Sequence, residues 1–245
     1  MTRIAKEIAA EKPHTVIIAT PHNLRLWKNM GIITSENSSG ELTGPRGRTV
    51  MVRAKCDREF ALELLDRAEK RGLPVVGANY GTADGKHSNM PMDWGTLVPL
   101  WFIVKHGKTR PKIVVITPSR EIPLSQNYEF GRLVAELTEQ QRKKRFVFVA
   151  SADQAHTHTR SGPYAFNKAA AQIYDRLIVN AIHKNRLLSI LNLDSKLVEN
   201  AKPDSLWQMT MLAGVMNKVP MRGELFSYDV PTYYGMACAG FHRID

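Results

Sequence analysis

The sequence predicts a single α/β domain with a mostly parallel central sheet flanked by helices. Three observations carry this prediction: short continuous apolar runs, segments of helical spacing between them, and no linker or low-complexity tract along 245 residues. Continuous apolar runs of strand length are typical of strands buried on both faces, and their alternation with helices is typical of a parallel sheet. A chain of this length suits one such domain, so we assign residues 1–245 to it.

The predicted strands and helices follow one another along most of the chain. The apolar runs that predict strands are residues 15–20, 73–78, 112–117 and 145–150. The segments with helical spacing are residues 58–71, 126–143 and 167–183. Gly72 ends the first of these helices, and Ile173, Leu177 and Ile178 form the predicted buried stripe of the last. Residues 89–100, which contain two prolines and a glycine, are interpreted as a loop.

Composition and charge narrow the class of protein. The formal net charge is +11, but the basic residues are spread along the chain and no aromatic stacking or DNA-binding motif accompanies them. We therefore expect no nucleic-acid partner, and a basic surface of this kind suits the steering of an anionic small molecule. Two cysteines are too few for a disulfide framework, and no apolar run reaches the ~18 residues of a membrane span. The N-terminus has no apolar signal core, so we expect a cytoplasmic protein without membrane contact.

Polar side chains follow two of the predicted strands, at the point where each strand ends. His22 follows the first strand, and Asp153, His156 and His158 follow the strand at residues 145–150. The carboxyl ends of parallel strands meet at one edge of a sheet, where α/β proteins bind their ligands. These side chains, together with the predicted loop described above, therefore form the candidate site.

Four segments of the chain, in this order, resemble a known enzyme family. They read ATPH at residues 19–22, MDWGTLVPLWF at 92–102, ASADQAH at 150–156 followed by GPY at 162–164, and DVPTYYGM at 229–236. The chain resembles the catalytic subunits of the class III extradiol ring-cleaving dioxygenase superfamily, which includes protocatechuate and aminophenol dioxygenases and is related to Memo-like proteins. The second segment is similar to the family's DHGTLVPL, and the third to its ASGDLSH followed by GPY. The resemblance covers nearly the whole chain.

The resemblance implies a mononuclear non-haem Fe(II) site of two His and one carboxylate, an arrangement that leaves open positions for substrate and dioxygen. His22 matches the first metal ligand. His156 matches a His that serves as acid and base and binds substrate, and Asp153, three residues earlier, is expected to support it. Asp204 is the candidate for the metal carboxylate, with Glu199 as the alternative.

Two family positions carry other residues in this chain. The family motif DHG reads DWG here, which puts Trp94 in place of an acid/base His, and an indole cannot transfer protons in that way. No His lies between His22 and His87, the interval in which the second metal His is expected. Asn37 is the nearest replacement by motif position, with Glu36 beside it as a stronger ligand and His87 as a shifted alternative.

The sequence is compatible with two functions. In the first, the chain uses Fe(II), or Mn in its place, to cleave a catechol-like or aminophenol-like ring, and Trp94, Pro99 and His158 bind the substrate. In the second, the chain is a metal-free, non-catalytic paralogue that acts as a partner subunit or a small-molecule binder. We expect a small, anionic aromatic ligand and a homo- or hetero-oligomer.

Overall fold

The computed structural model of the protein describes residues 1–244. The strands are β1 (Thr15–Ala19), β2 (Met30–Ile33), β3 (Asn37–Thr43), β4 (Thr49–Lys55), β5 (Val75–Ala78), β6 (Asn89–Pro91), β7 (Lys112–Thr117), β8 (Phe146–Ala150), β9 (Met221–Asp229) and β10 (Met236–Arg243). The α-helices are α1 (Thr2–Ala10), α2 (Arg58–Lys70), α3 (Trp94–His106), α4 (Leu124–Gln140), α5 (Lys168–His183), α6 (Ser195–Ala201) and α7 (Leu206–Lys218). A 3-10 helix covers Leu187–Asn192 between α5 and α6.

Five strands form the central sheet in the order β5-β2-β7-β1-β8. Three of the four neighbouring pairs are parallel, and only β2 and β7 run antiparallel. Each residue of β1, near the middle of the sheet, is buried, as its continuous apolar run predicts. The prediction of an α/β fold with a mostly parallel central sheet flanked by helices is confirmed.

Helices cover both faces of this sheet. Successive side chains of β1 point to opposite faces, so its residues belong to two different cores. Ile17 belongs to a core formed with α2, α4 and α7. Val16 and Ile18 belong to a core formed with α3 on the other face. A further core lies between α5, α7 and the β9–β10 hairpin. Within residues 1–244, none of the helices is long and apolar enough to cross a membrane.

Helices α4 and α7, the second of which begins two residues after Asp204, approach each other closely at two glycines. A Cβ on Gly131 would overlap the backbone carbonyl of Met211, and a Cβ on Gly214 would overlap that of Tyr128, each at less than 3.0 Å. Only glycine fits where two backbones come this near. Both glycines therefore have a packing explanation.

The prediction of a loop at residues 89–100 is wrong. These residues form β6 and the first half of α3, whose N-cap residue Asp93 accepts a hydrogen bond from the Thr96 amide at 3.0 Å. Helix α3 is apolar around most of its circumference and contains Pro99, so neither periodicity nor helix propensity marks it. We attribute its helical structure to packing, because its apolar side chains are buried against the sheet.

The buried stripe predicted for α5 is wrong in two of three positions. Ile178 is buried, but Ile173 and Leu177 are 49% and 39% exposed. The buried face runs instead through Tyr174, Ile178 and Ile182, at the spacing of four residues typical of one helix face. Successive residues are about 100° apart around a helix, so the side chains one position before this face point away from the core.

Candidate metal centre

The candidate metal centre lies at the carboxyl edge of the neighbouring strands β1 and β8. Their last residues, Ala19 and Ala150, are paired in register, and His22 and Asp153 each come three residues later. Asp204 reaches the same place from the connection between α6 and α7. One ligand atom from each of the three side chains lies within 4.8 Å of the others. The structure therefore places the two predicted metal ligands, His22 and Asp204, beside Asp153, which the sequence predicted as a support for His156.

The two carboxylate oxygens of Asp204 have different partners. Oδ1 accepts a hydrogen bond from the Arg120 guanidinium. Oδ2 lies 3.7 Å from His22 Nε2 and 3.9 Å from His156 Nε2. The backbone N–H of Asp204 donates to the Asp153 carbonyl at 3.2 Å, which joins the two segments that carry the carboxylates. Arg120 thus neutralises one oxygen, while the other faces the histidines.

His156 lies beside both carboxylates and is buried. Its Nε2 is 3.6 Å from Asp153 Oδ2, and its Nδ1 has no hydrogen-bond partner within the described residues. Burial lowers the pKa of His156, but the nearby carboxylates of Asp153 and Asp204 outweigh burial and raise this pKa above its usual value. A His in these surroundings can accept and hold a proton near neutral pH.

Aromatic side chains surround the two histidines. Trp94 lies edge-on to the His22 ring, with 4.8 Å between the ring centroids. The tyrosines whose ring centroids lie within 6.0 Å of that of His156 are Tyr164, Tyr233 and Tyr234. Trp94 is 59% exposed, so its indole forms an outer wall of the site. These rings offer stacking surfaces to a planar ligand.

A groove of about 1530 Å³ opens beside the candidate metal centre, and its lining includes Trp94, Pro99 and Asp153. Two of the three predicted substrate-binding residues therefore lie along the same groove as a candidate metal ligand. The third, His158, is buried, and its Nε2 lies 2.7 Å from the Oδ2 atom of Asp175 on α5.

The other residues that the sequence suggested as metal ligands have surroundings that differ from those of His22, Asp153 and Asp204. Among the His, Cys, Asp and Glu residues of the described chain, the group that could hold a metal includes neither Glu36, His87 nor Glu199. The side chains of His87 and Glu199 are exposed. Asn37 lies on β3 in a separate three-stranded sheet, where its amide nitrogen donates to the Ser88 carbonyl at 3.3 Å. The role of Asn37 as a metal ligand stays a prediction.

Arg120 is a site residue that the sequence reasoning missed. It comes three residues after Thr117, the last residue of β7, which is the other neighbour of β1. His22 and Asp153 stand at the same distance from the ends of β1 and β8, so this offset is the signal that could have found Arg120. Its guanidinium also packs over the Trp207 ring, 4.9 Å from the ring centroid.

The donor set suits a divalent metal ion. His22 offers an imidazole nitrogen, and Asp153 and Asp204 offer carboxylate oxygens. Imidazole is a common ligand of iron and zinc, whereas carboxylate oxygen suits manganese and magnesium. A set that combines one nitrogen with two charged oxygens therefore fits an ion of the iron and manganese kind.

The fold and the site define an α/β protein with a candidate metal centre at the carboxyl edge of its parallel strands. The family model described as the catalytic LigB subunit of aromatic ring-opening dioxygenase matches residues 1–240. The chain belongs to this family, which confirms the resemblance drawn from its four sequence segments.

Two similar proteins extend this comparison. The chain is 28% identical over 226 residues to Protein CA_C1420 of Clostridium acetobutylicum, a match that covers 92% of this chain and 47% of that protein. The chain thus spans about half the length of this curated relative. The crystal structure of uncharacterized protein JW3007 from Escherichia coli K12 is similar with a TM-score of 0.60 at 14% identity, over 97% of this chain and 90% of that chain. The second similarity supports the fold alone.

Proposed function

We propose that the chain opens an aromatic ring oxidatively, with a divalent metal ion held by His22, Asp153 and Asp204. The observation that carries this proposal is the convergence of one imidazole and two carboxylates within 4.8 Å, in a member of the LigB family. The bound ion, Fe(II) or Mn in its place, would supply a Lewis acid and an electron donor for a catechol-like or aminophenol-like substrate and dioxygen.

The residues of this chain have distinct tasks in the proposed reaction. His156 accepts the proton of a substrate hydroxyl at Nε2, since that atom faces both carboxylates and its pKa is raised. Trp94 and Tyr233 hold the substrate ring by stacking. Arg120 keeps Asp204 in place and offsets part of its charge. The net charge of +11 supports an anionic aromatic as the substrate.

Metal analysis combined with oxygen uptake tests this proposal. The protein would be purified without chelators, analysed by inductively coupled plasma mass spectrometry, and reconstituted anaerobically with Fe(II) or Mn(II). We expect about one metal ion per chain and oxygen consumption with at least one of catechol, protocatechuate and 2-aminophenol. His22→Ala should lose the metal, whereas His87→Ala, at an exposed position outside the cluster, should keep it. Absence of both metal and oxygen uptake in the wild-type protein would refute the proposal.

One observation favours the second function, a metal-free partner subunit or small-molecule binder. The Arg120 guanidinium already pairs with Asp204, so this carboxylate has a cationic partner without any metal ion. This alternative is supported if the purified protein holds no metal and co-purifies with a second subunit that carries a complete metal site.

A homo- or hetero-oligomer and a cytoplasmic location stay predictions. Light scattering with size-exclusion chromatography checks the oligomeric state.

A further inference from the structure

Asp175 on α5 is a buried carboxylate that accepts three hydrogen bonds. Its Oδ1 accepts from the Ala155 amide at 2.9 Å. Its Oδ2 interacts with His158 Nε2 at 2.7 Å and accepts from the Tyr228 hydroxyl at 2.6 Å. The side chains of Asp175 and His158 are only 2% and 5% exposed. Burial and the hydrogen bond to Asp175 raise the pKa of the Tyr228 phenol, so the phenol stays protonated and remains a donor.

Two of these three contacts hold the loop of residues 153–158, which carries Asp153 and His156. Ala155 lies between those two residues, and His158 closes the loop. The same loop is joined by backbone hydrogen bonds to residues 233–235, namely Gln154 N–H to Gly235 O at 2.8 Å, Gly235 N–H to Ala155 O at 3.0 Å and His158 N–H to Tyr233 O at 3.1 Å. Asp175 therefore ties the loop to α5, and through Tyr228 to β9.

Gly235 makes room for this arrangement. A Cβ at this position would lie less than 3.0 Å from Asp175 Oδ2 and 3.2 Å from Gln154 Cβ. Any larger residue would displace either the carboxylate or the loop. The glycine of the DVPTYYGM segment thus has a role at the candidate site, because it admits Asp175 to the back of the loop.

We propose that Asp175, with His158 and Tyr228, is a positioning residue that holds residues 153–158 so that Asp153 and His156 face the candidate metal centre. The metal part of this inference rests on the proposed function. Asp175 touches neither metal nor substrate; it acts through the loop backbone and through His158. Partners that hydrogen-bond directly to a metal ligand change metal affinity about 10–100-fold when they are removed, and Asp175, which acts one step further out, is expected at the lower end of this range.

The test compares Tyr228→Phe and Asp175→Asn with a matched control. Tyr228→Phe removes one donor to the carboxylate with little change in shape, and it keeps the test decisive if Asp175→Asn fails to fold. The control is Thr15→Val, which removes a buried hydroxyl that donates to the Asp57 carboxylate at 2.5 Å, at the opposite end of β1 from His22. Each protein is titrated with Mn²⁺ by electron paramagnetic resonance. Hydrogen–deuterium exchange of residues 151–159 is measured without metal.

We expect Asp175→Asn to weaken Mn²⁺ binding about tenfold, and Tyr228→Phe by a smaller factor in the same direction. Thr15→Val should lower the melting temperature without changing Mn²⁺ affinity. The inference is overturned if all variants, including the control, lose Mn²⁺ affinity equally, or if none does. If the wild-type protein binds neither Mn²⁺ nor Fe(II), the metal in the proposed function fails, and exchange decides the positioning role. Faster exchange of residues 153–158 in Tyr228→Phe but not in Thr15→Val then supports it, and unchanged exchange overturns it.

Discussion

Replacing Asp204 by Asn separates the proposed metal-binding role of this carboxylate from its structural role. Oδ2 of Asp204 is the atom that faces both His22 and His156, at 3.7 and 3.9 Å, so the neutral amide removes a charged donor from the centre of the cluster. We expect Mn²⁺ affinity to fall at least about 100-fold, which corresponds to about 2.7 kcal/mol. The hydrogen bond from Arg120 also loses its charged acceptor, which costs about 1.5 kcal/mol for side chains that are 27% and 11% exposed.

Thermal unfolding with and without Mn²⁺ measures both effects. For a chain of 245 residues, about 1.5 kcal/mol lowers the melting temperature of the metal-free variant by roughly 3–6 °C. Mn²⁺ at about 100 times its dissociation constant adds about 2.7 kcal/mol to wild-type stability, or roughly 5–11 °C, and should add at most about 0.4 kcal/mol, or roughly 1–2 °C, to the variant. The control is Asp84→Asn, which removes an exposed ion pair in which Asp84 Oδ1 lies 2.8 Å from Arg58 Nη1. Equal Mn²⁺ stabilisation of wild type and Asp204→Asn would refute the assignment of this ligand.

Three further predictions address packing, thiol chemistry and catalysis. Gly214→Ala places a Cβ against the Tyr128 carbonyl and should destabilise the protein by about 3 kcal/mol, seen as a lower melting temperature; an unchanged one would contradict the close α4–α7 approach. Burial, reinforced by the neighbouring carboxylate, raises the pKa of Cys56 to about 12, so iodoacetamide at pH 8 should label the half-buried Cys238 and leave Cys56 unmodified until the protein unfolds. His156→Gln should lower the ring-opening rate by about 10²–10⁴-fold while Mn²⁺ still binds; a rate within twofold of wild type would exclude His156 as the base.

The central strands could be predicted from the sequence because their burial leaves a direct mark on it. β1 and β7 read as continuous apolar runs, and helix α2 shows its buried face at helical spacing. Helix α3 could not be predicted in this way, since it is apolar on nearly every side and contains Gly95 and Pro99. The orientation of α5 was missed for a related reason: Ile173 is as apolar as Ile178, and only tertiary packing decides which of them is covered.

The candidate site was predictable wherever a polar residue follows an apolar strand. His22 and Asp153 carry that signal, and Asp204 came from the family resemblance. Arg120 follows β7 at the same offset, but its relevance depends on β7 lying next to β1 in space. Strand order is a property of the folded sheet, so the sequence did not indicate that Arg120 belongs to the cluster. The carboxylate of Asp175 was hidden as well, because its contact with Ala155, 20 residues earlier, forms only in the folded chain.

If the proposed metal binds, the charge of the cluster would explain how one His and two carboxylates can serve where the resemblance implies two His and one carboxylate. Asp153 in place of a neutral imidazole adds one negative charge to the ligands. Arg120, paired with Asp204, adds one positive charge directly beside them. Two carboxylates and one guanidinium then leave a net charge of −1, the same as two neutral imidazoles and one carboxylate. A bound divalent ion would give the centre a net charge of +1 in either arrangement, which attracts an ionised catechol. On this reasoning Arg120 is a compensating charge within the candidate metal centre, and its pairing with Asp204 is compatible with a bound metal ion.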